Sequence, residues 1–235
     1  MEQTNQIKML TAGAVLMGTL LSPTLQAEDN LNVSLSTGLQ SVNTRAPGMI
    51  FSEGESLRNT LVINKGNLTG IIWSDYDTKK GQVNEVDFIG CYFSKLSENL
   101  SSNTCVEHYT YPKLGYDSDT LLTNSLNYKF DNDIDFTLNT KHHFENDSVE
   151  SGQLYQVGVG KNFSLGDVNL RASGEIGYCD NFFGCDGLTV GRVELSASKD
   201  LTDKLSASLS FQRQFSLNDN FETTNVVGAN LIYKF

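Results

Sequence analysis

Two adjacent histidines lie in an acidic part of the sequence, an arrangement that can serve a metal site or a proteolytic centre. His142 and His143 follow Asp133 and Asp135 and precede Glu145. Polar and apolar residues alternate through this stretch, which is typical of a β-strand, and successive strand residues point to opposite faces. Only one of the two histidines can therefore reach a site on either face. The pattern argues against a metal or proteolytic role for the pair.

The four cysteines could form disulfides or bind a metal ion. Cys91, Cys105, Cys179 and Cys185 do not have the spacing of a CxxC metal motif, and the only histidine near either pair is His108. An even number of cysteines in an exported chain indicates disulfides. We predict the pairs Cys91–Cys105 and Cys179–Cys185, with metal binding as the alternative.

The N-terminal residues have the layout of a secretory signal peptide. Lys8 precedes an apolar run at 9–21, and a polar stretch then ends at Ala27. The run is shorter than the roughly 20 residues that span a bilayer as a helix. We therefore predict a signal peptide at 1–27 and a single domain at 28–235. The formal net charge of −11 makes nucleic acid a poor partner for this chain.

The strands that position these side chains are predicted from the alternation of polar and apolar residues. This alternation has a period of two and recurs along the chain from Leu31 onward. No convincing helical period of 3.6 residues competes with it. The alternation predicts an all-β chain. We expect strands at 31–43, 55–64, 68–77, 83–96, 104–112, 119–130, 134–145, 152–164, 167–178, 188–199, 204–216 and 223–235.

The predicted connections alternate between short turns and longer loops. Turns are expected at 65–67, 131–133, 165–167 and 200–203, and loops at 44–54, 78–82, 112–118, 146–151, 180–187 and 217–220. The connection at 97–103 is an exception, because it should be short and is not. Turns at one end, loops at the other and both termini at the turn end are typical of an outer-membrane barrel. We predict an antiparallel transmembrane β-barrel of about 12 strands, of the outer-membrane type.

The alternation also assigns side chains to the lumen or to lipid. In the strand at 204–216, Leu205 and Leu209 share one face, and Ser206 and Ser208 share the other. The small polar set suits a lumen, and aromatic residues near strand ends suit the two membrane interfaces. The charged residues that we predict to line the lumen and its constriction are Arg58, Glu85, Asp87, Glu107, Lys129, Asp135, Lys141, His143, Arg171, Glu175, Arg192 and Glu194.

These lumen charges permit two interpretations. They could pair across the lumen and fill it, since a small barrel must fill or hydrate its interior. Alternatively, opposed acidic and basic walls could form a constriction for small polar solutes, and we favour this narrow, water-filled pore. Asp75, Asp77, Asp117, Asp119 and Glu222 are expected to form a solvated acidic rim. If that acidity reaches the constriction, cations should pass preferentially.

Three stretches of sequence carry a family resemblance. Residues 70–77 read GIIWSDYD, 85–92 read EVDFIGCY and 109–112 read YTYP. In order and spacing they resemble motifs of the TorF-like porin family, proteobacterial conserved hypothetical outer-membrane proteins, although Trp73 lies one position later than in the family's motif. The resemblance covers residues 30–115. It implies a pore-forming outer-membrane barrel with no assigned substrate and no known catalytic residues.

Together these features predict an outer-membrane channel for the passive diffusion of small hydrophilic solutes, without enzyme activity, cofactor or metal. The alternatives are a non-conducting structural or adhesion barrel, and an outer-membrane hydrolase, for which the outward His142 lacks a serine motif. We expect the outer membrane of a Gram-negative bacterium as location, and its lipids and the barrel assembly machinery as partners. The terminal Tyr233 and Phe235 resemble the signal which that machinery reads. The oligomeric state is left open.

Overall fold

The computed structural model describes residues 31–45, 47–52 and 54–235, which form a closed antiparallel β-barrel of twelve strands. The predicted fold class is confirmed, whereas the predicted signal peptide at 1–27 lies outside the described residues. The described residues contain no helix long and apolar enough to cross a membrane. The barrel strands are β1 (Asn32–Gln40), β4 (Ser56–Lys65), β5 (Leu68–Asp77), β6 (Gln82–Lys95), β7 (Leu100–Thr110), β8 (Asp119–Lys129), β9 (Ile134–His143), β10 (Gly152–Leu165), β11 (Val168–Phe182), β12 (Cys185–Asp200), β13 (Leu205–Ser216) and β14 (Thr224–Lys234).

Two short strands, β2 (Thr44–Arg45) and β3 (Met49–Ile50), form a separate pair in the connection between β1 and β4. This connection lies at the end of the barrel that carries the predicted loops, which we call the loop end. The opposite end, with both ends of the barrel chain and the predicted turns, is the turn end. Neighbouring strands in the sequence are neighbours in the barrel from β4 to β14, so each connection is a simple hairpin.

Two connections differ from the prediction. The turn between β6 and β7 is short, because β7 already begins at Leu100, whose carbonyl accepts hydrogen bonds from the N–H groups of Leu96 and Ser97 at 2.9 and 3.0 Å. This removes the exception at 97–103. The expected loop at 180–187 is instead a tight turn, in which Phe183 and Gly184 both have positive φ angles of 54° and 72°. Such a pair of central residues is typical of two-residue hairpins, and it lets β11 and β12 extend further.

The last strand closes the barrel. β14 pairs with β13 on one edge and with β1 on the other, so that Leu231 lies opposite both Ala207 and Thr37. The N–H group of Phe235 donates to the carbonyl of Val33 at 3.1 Å, which extends this seam to the C terminus. Closure matters because an unpaired strand edge leaves a row of unsatisfied backbone groups.

The barrel has an apolar outer face and a mostly polar inner face. Along β13, Leu209 and Phe211 are exposed outside, whereas Ser208, Ser210 and Gln212 are buried inside. The register between β6 and β7 also agrees with the prediction: Cys91 lies opposite Cys105 and the two form a disulfide. The same register sets Ile89 opposite Glu107 and Asp87 opposite Tyr109, as expected from that disulfide.

The seam generates a stability prediction, because Gly38 of β1 has no room for a side chain. A Cβ atom there would lie 1.7 Å from Oδ1 of Asn230, which can rotate away, and 2.9 Å from the backbone oxygen of Ala229, which cannot. We expect Gly38→Val to destabilise the barrel by about 1–3 kcal/mol, the usual cost of overpacking. The measurement is the temperature at which the folded, heat-modifiable gel band is lost.

Gly70→Val is the matched control, because a Cβ atom at Gly70 meets no atom within 4 Å. Both variants place a valine in a barrel strand, so β-propensity changes equally. Equal melting temperatures of the two variants would show that the close approach of Gly38 to the backbone of Ala229 does not limit the stability of the barrel.

Candidate functional site in the barrel lumen

The structure places the twelve predicted lumen residues on the inner face. Arg58, Glu85, Asp87, Glu107, Lys141, His143 and Arg192 are buried there, and Asp135, Arg171, Glu175 and Glu194 are partly buried. Lys129 lies opposite Asp135 but is exposed at the turn end. These charged side chains therefore share the inner face of the barrel.

Some of these charges pair between adjacent strands. Arg58 lies opposite Asp75, and its Nε is 3.8 Å from the Asp75 Oδ1 atom. Glu175 lies opposite Arg192, whose Nη1 donates to Glu175 Oε1 at 2.8 Å while its Nε donates to Gln214 Oε1 at 3.1 Å. These pairs compensate buried charges within the wall of the barrel.

Other pairs reach across an intervening strand. The Arg171 guanidinium on β11 forms two hydrogen bonds of 2.6 and 2.7 Å with Asp135 on β9. It passes over Gly160 of β10, where a Cβ atom would lie only 2.1 Å from the guanidinium. Lys141 of β9 similarly reaches over β8 to Glu107 at 3.1 Å. The missing side chain at Gly160 is therefore what allows Arg171 and Asp135 to meet.

Carboxylates dominate the inner wall formed by β5 to β8. The group comprises Asp75, Asp77, Glu85, Asp87, Glu107 and Asp119, each at most 4% exposed. Of the residues expected in a solvated rim, only Asp117 and Glu222 are exposed, so the rim interpretation is wrong for Asp75, Asp77 and Asp119. The cause is that groups at the loop end cover them: the N–H groups of Lys79 and Lys80 donate to Asp77, and the Tyr111 hydroxyl and the Asn146 amide donate to Asp119. We call these six residues the acidic wall.

The opposite side of the lumen is polar and carries less charge. In the closed strand order, β12 and β13 lie across from β6 and β7. Their inner face presents Arg192 together with Gln212, Ser206 and Ser208, and the Gln212 amide and both serine hydroxyls have no hydrogen-bond partner among the described residues. Polar groups of this kind require hydration or a polar ligand.

The histidines take separate positions, as predicted from strand geometry. His143 faces inward, and its Nε2 lies 2.8 Å from Oδ1 of Asp119, which also accepts a hydrogen bond from Asn146 at 2.7 Å. His142 faces outward and packs edge-to-face on Phe144. Among the described residues, no three His, Cys, Asp or Glu side chains gather as metal ligands.

Two apolar clusters inside the barrel are not predicted by the alternation in the sequence. The first surrounds the disulfide and comprises Val62, Ile71, Trp73, Ile89, Cys91 and Cys105. Arg58 lies over the Trp73 ring at 5.5 Å, a cation–π contact that joins this cluster to the charged wall. Because these residues are apolar on the inner face, β4 and β5 alternate less clearly than the other strands.

The second cluster lies near the loop end and is called the mouth cluster. It contains Tyr109, Tyr111, Leu121, Leu154, Cys179, Phe182 and Cys185, with Phe51, Leu114, Phe183 and Phe221 packed against them. The last four residues come from four different connections between strands. Connections at the loop end, the tight turn at Phe183 included, thus send apolar side chains into the barrel.

The predicted Cys179–Cys185 disulfide is wrong, because both residues are buried free thiols. The long hairpin changes their register: Cys179 lies opposite Gly187, and Cys185 lies opposite Phe182. The two residues are therefore out of register, unlike the cysteines of β6 and β7, although their thiols are in hydrogen-bond contact. They serve as apolar members of the mouth cluster, a role in which buried cysteine is common.

The inner face is packed more tightly near the loop end than near the turn end. Towards the loop end, Gln40, Asp77 and His143 are at most 2% exposed. Towards the turn end, the side chains of Asp135 and Arg171 keep 15% and 14% exposure. The inward side chains named near the loop end are therefore less accessible than the Arg171–Asp135 pair.

The buried pair of Glu107 and Lys141 generates a second stability prediction. Lys141→Met leaves the Glu107 carboxylate, which also accepts a hydrogen bond from Tyr109, without its cation. Removing one partner of a buried pair costs about 3–5 kcal/mol. We expect that loss in the free energy of unfolding, measured with denaturant in detergent. The double variant Glu107→Gln/Lys141→Met should recover most of it, and an equally unstable double variant would contradict the assignment.

No family model and no curated protein matches this sequence. Among solved structures, the barrel is similar to the KdgM porin, with a TM-score of 0.60 and 12% identity over 86% of this chain and 99% of that chain. It is also similar to the NanC porin, with a TM-score of 0.59 and 8% identity over 86% of this chain and 100% of that chain. The COG4313 outer membrane channel from Pseudomonas putida F1 gives 0.58 and 10% over 89% of this chain and 97% of that chain. At these identities the likeness concerns the fold, which is that of outer-membrane porins.

Proposed function

We propose that this chain is a channel of a Gram-negative outer membrane, through which small hydrophilic solutes diffuse passively. The observation that carries the proposal is the closed barrel with an apolar outer face and a charged, polar inner face. An apolar outer face suits lipid, and inward polar side chains suit a hydrated path. In this setting the loop end faces the cell exterior, because outer-membrane barrels keep short turns on the periplasmic side.

The charge of the lumen favours cations or neutral solutes over anions. Among the described side chains, the inner face carries the acidic wall together with Asp135, Glu175 and Glu194, against the cations Arg58, Lys129, Lys141, Arg171 and Arg192. A wall with an excess of one charge attracts the opposite one and raises its local concentration. The KdgM porin has been solved with disordered oligogalacturonate, a polyanion. The acidic wall predicts that this chain prefers cations or neutral solutes to anions.

We also propose membership of the TorF-like porin family. The three resembling stretches fall on consecutive strands, at 70–77 in β5, 85–92 in β6 and 109–112 at the end of β7. Their inward residues supply most of the acidic wall, and Tyr109 and Tyr111 belong to the mouth cluster. Membership would explain why these stretches contain carboxylates and tyrosines, because their inward residues form one side of the lumen.

A second candidate function is a non-conducting structural barrel. The tight packing of the inner face near the loop end favours it, since residues such as Gln214 and Leu154 are fully buried there. Recording in planar bilayers separates the two candidates. Current steps support the channel, and their absence at every voltage supports the structural barrel.

The channel proposal predicts selectivity for cations. In a KCl gradient, we expect a reversal potential that favours K⁺ over Cl⁻. The variant Glu85→Gln/Asp87→Asn removes two charges from the acidic wall without changing side-chain size, so the reversal potential should move towards zero.

The matched control for this measurement is Asp117→Asn/Glu145→Gln, which removes two exposed charges outside the lumen. Its reversal potential should stay near that of the unchanged protein. An identical shift in both variants would mean that general surface charge, and not the acidic wall, sets the selectivity.

We further propose that the C terminus is read by the barrel assembly machinery. Phe235 is exposed at the end of the seam and packs edge-to-face against Tyr233 at 5.0 Å. Deletion of Phe235 should lower the amount of barrel in the outer membrane, because the signal is lost. The conductance of protein refolded in detergent should not change, because Phe235 lies outside the lumen. Normal amounts of the truncated protein in the membrane would refute this role.

A further inference from the structure

A short segment of the first long connection lies inside the mouth of the barrel. Residues 47–52, which we call the inner segment, include β3 and follow β2. Pro47, Gly48 and Ser52 are buried, although they belong to a connection between strands. Loops between strands normally run over the surface, so burial of this kind needs specific contacts.

One side of the inner segment is fixed to the wall formed by β6 and β7. The Phe51 carbonyl accepts a hydrogen bond from the Asn84 side chain on β6 at 3.2 Å. The Phe51 ring stacks on Tyr111, just after β7, with ring centres 6.1 Å apart and planes 11° apart. Ser52 accepts a hydrogen bond from the N–H group of Asn43 at 2.6 Å, which closes the base of the segment.

The other side reaches the wall formed by β12 and β13. The Gly48 carbonyl accepts a hydrogen bond from Nε2 of Gln214 at 3.0 Å. Gly48 has a φ angle of 154°, and a Cβ atom there would lie 2.7 Å from Val190 and 3.0 Å from Phe221. Glycine is therefore needed for this close approach.

These two sets of contacts lie on opposite sides of the mouth. β6 and β7 lie across the closed strand order from β12 and β13, so the inner segment bridges the opening. The tight hairpin of β11 and β12 fills part of the remaining space, where Phe182 and Phe183 meet edge-to-face at 4.8 Å and Phe183 covers His143 at 4.5 Å. Backbone of the inner segment and aromatic side chains of this hairpin therefore both occupy the mouth of the barrel.

We propose that the inner segment is the size-limiting element of the channel. This inference rests on the proposed channel function and adds to it the place where solutes are selected by size. The segment combines backbone carbonyls, held by Asn84 and Gln214, with the aromatic face of Phe51. A solute that enters from the loop end must pass this segment, which packs on the mouth cluster through Phe51, before it reaches the charged lumen.

The test compares the unchanged protein with a variant in which residues 47–52 are replaced by Gly-Ser. Each protein is reconstituted in liposomes, and swelling rates are measured in a neutral pentose, a disaccharide and a trisaccharide. We expect the variant to admit the larger sugars several-fold faster, with a smaller gain for the pentose. Neutral sugars exclude the effect of the acidic wall.

Two further variants complete the design. Replacement of residues 147–150, which are exposed except for the partly buried Val149, by Gly-Ser shortens another connection at the loop end and should leave the swelling rates unchanged. Phe51→Ala keeps the chain length and removes only the stacked ring, so it reports on the segment even if the shortened protein does not fold. We expect it to raise the rate for the disaccharide. The heat-modifiable gel band verifies folding in each case.

The outcomes separate this inference from the proposed function. Faster entry of large sugars in the 47–52 and Phe51 variants alone supports a size limit at the inner segment. Equal swelling of all proteins overturns that limit while the channel function stands. An equal gain in the 147–150 variant also overturns it, because any shortened loop would then widen the mouth. The absence of swelling with every protein and sugar overturns the channel function and this inference together.

Discussion

The closed ring of backbone hydrogen bonds is the constraint on which the other features depend. β14 must pair with β1 as well as with β13, because a single open edge would leave N–H and C=O groups without partners in lipid. Closure fixes the register of every strand, and the register fixes which residues point inward. A residue such as Gly38 is then determined by its neighbour Asn230 across the seam and not by local propensity.

Closure also creates an interior that must be filled or hydrated, and this chain does both. Ion pairs such as Arg171 with Asp135 fill space and compensate charge, but only because Gly160 leaves room between them. Apolar side chains fill the side near the disulfide and the loop end. Serine and glutamine on β13 leave polar groups that favour water. The lumen is therefore uneven, with a packed end and a more open end.

The sequence predicts the strands well because alternation with a period of two can be recognised within each short stretch. A one-residue slip in strand pairing would turn every apolar side chain to the wrong face, so the alternation has to be kept. It also predicts the facing of the charged residues and the pairing of Cys91 with Cys105. The inner apolar clusters are not predictable in this way, because Trp73 and Ile71 make both faces of β5 apolar and weaken the alternation. The position of Phe51 depends on its contact with Tyr111, which is distant in the sequence. No periodic pattern of residues predicts such a contact. The Cys179 register depends on a turn at Phe183 with positive φ, which is uncommon for phenylalanine.

In the proposed channel, the selection of solutes by size and by charge has one structural origin. Asn84 donates one hydrogen bond to the Phe51 carbonyl of the inner segment and another, at 3.4 Å, to Asp75 of the acidic wall. A single buried amide thus joins the inner segment to Asp75 of the acidic wall. Because charge acts most strongly where the path is narrow and water is scarce, an acidic wall at this depth has more influence than the same carboxylates on an exposed rim. The burial of Asp75 and Asp119 therefore matters more for the proposed charge selectivity than the number of carboxylates.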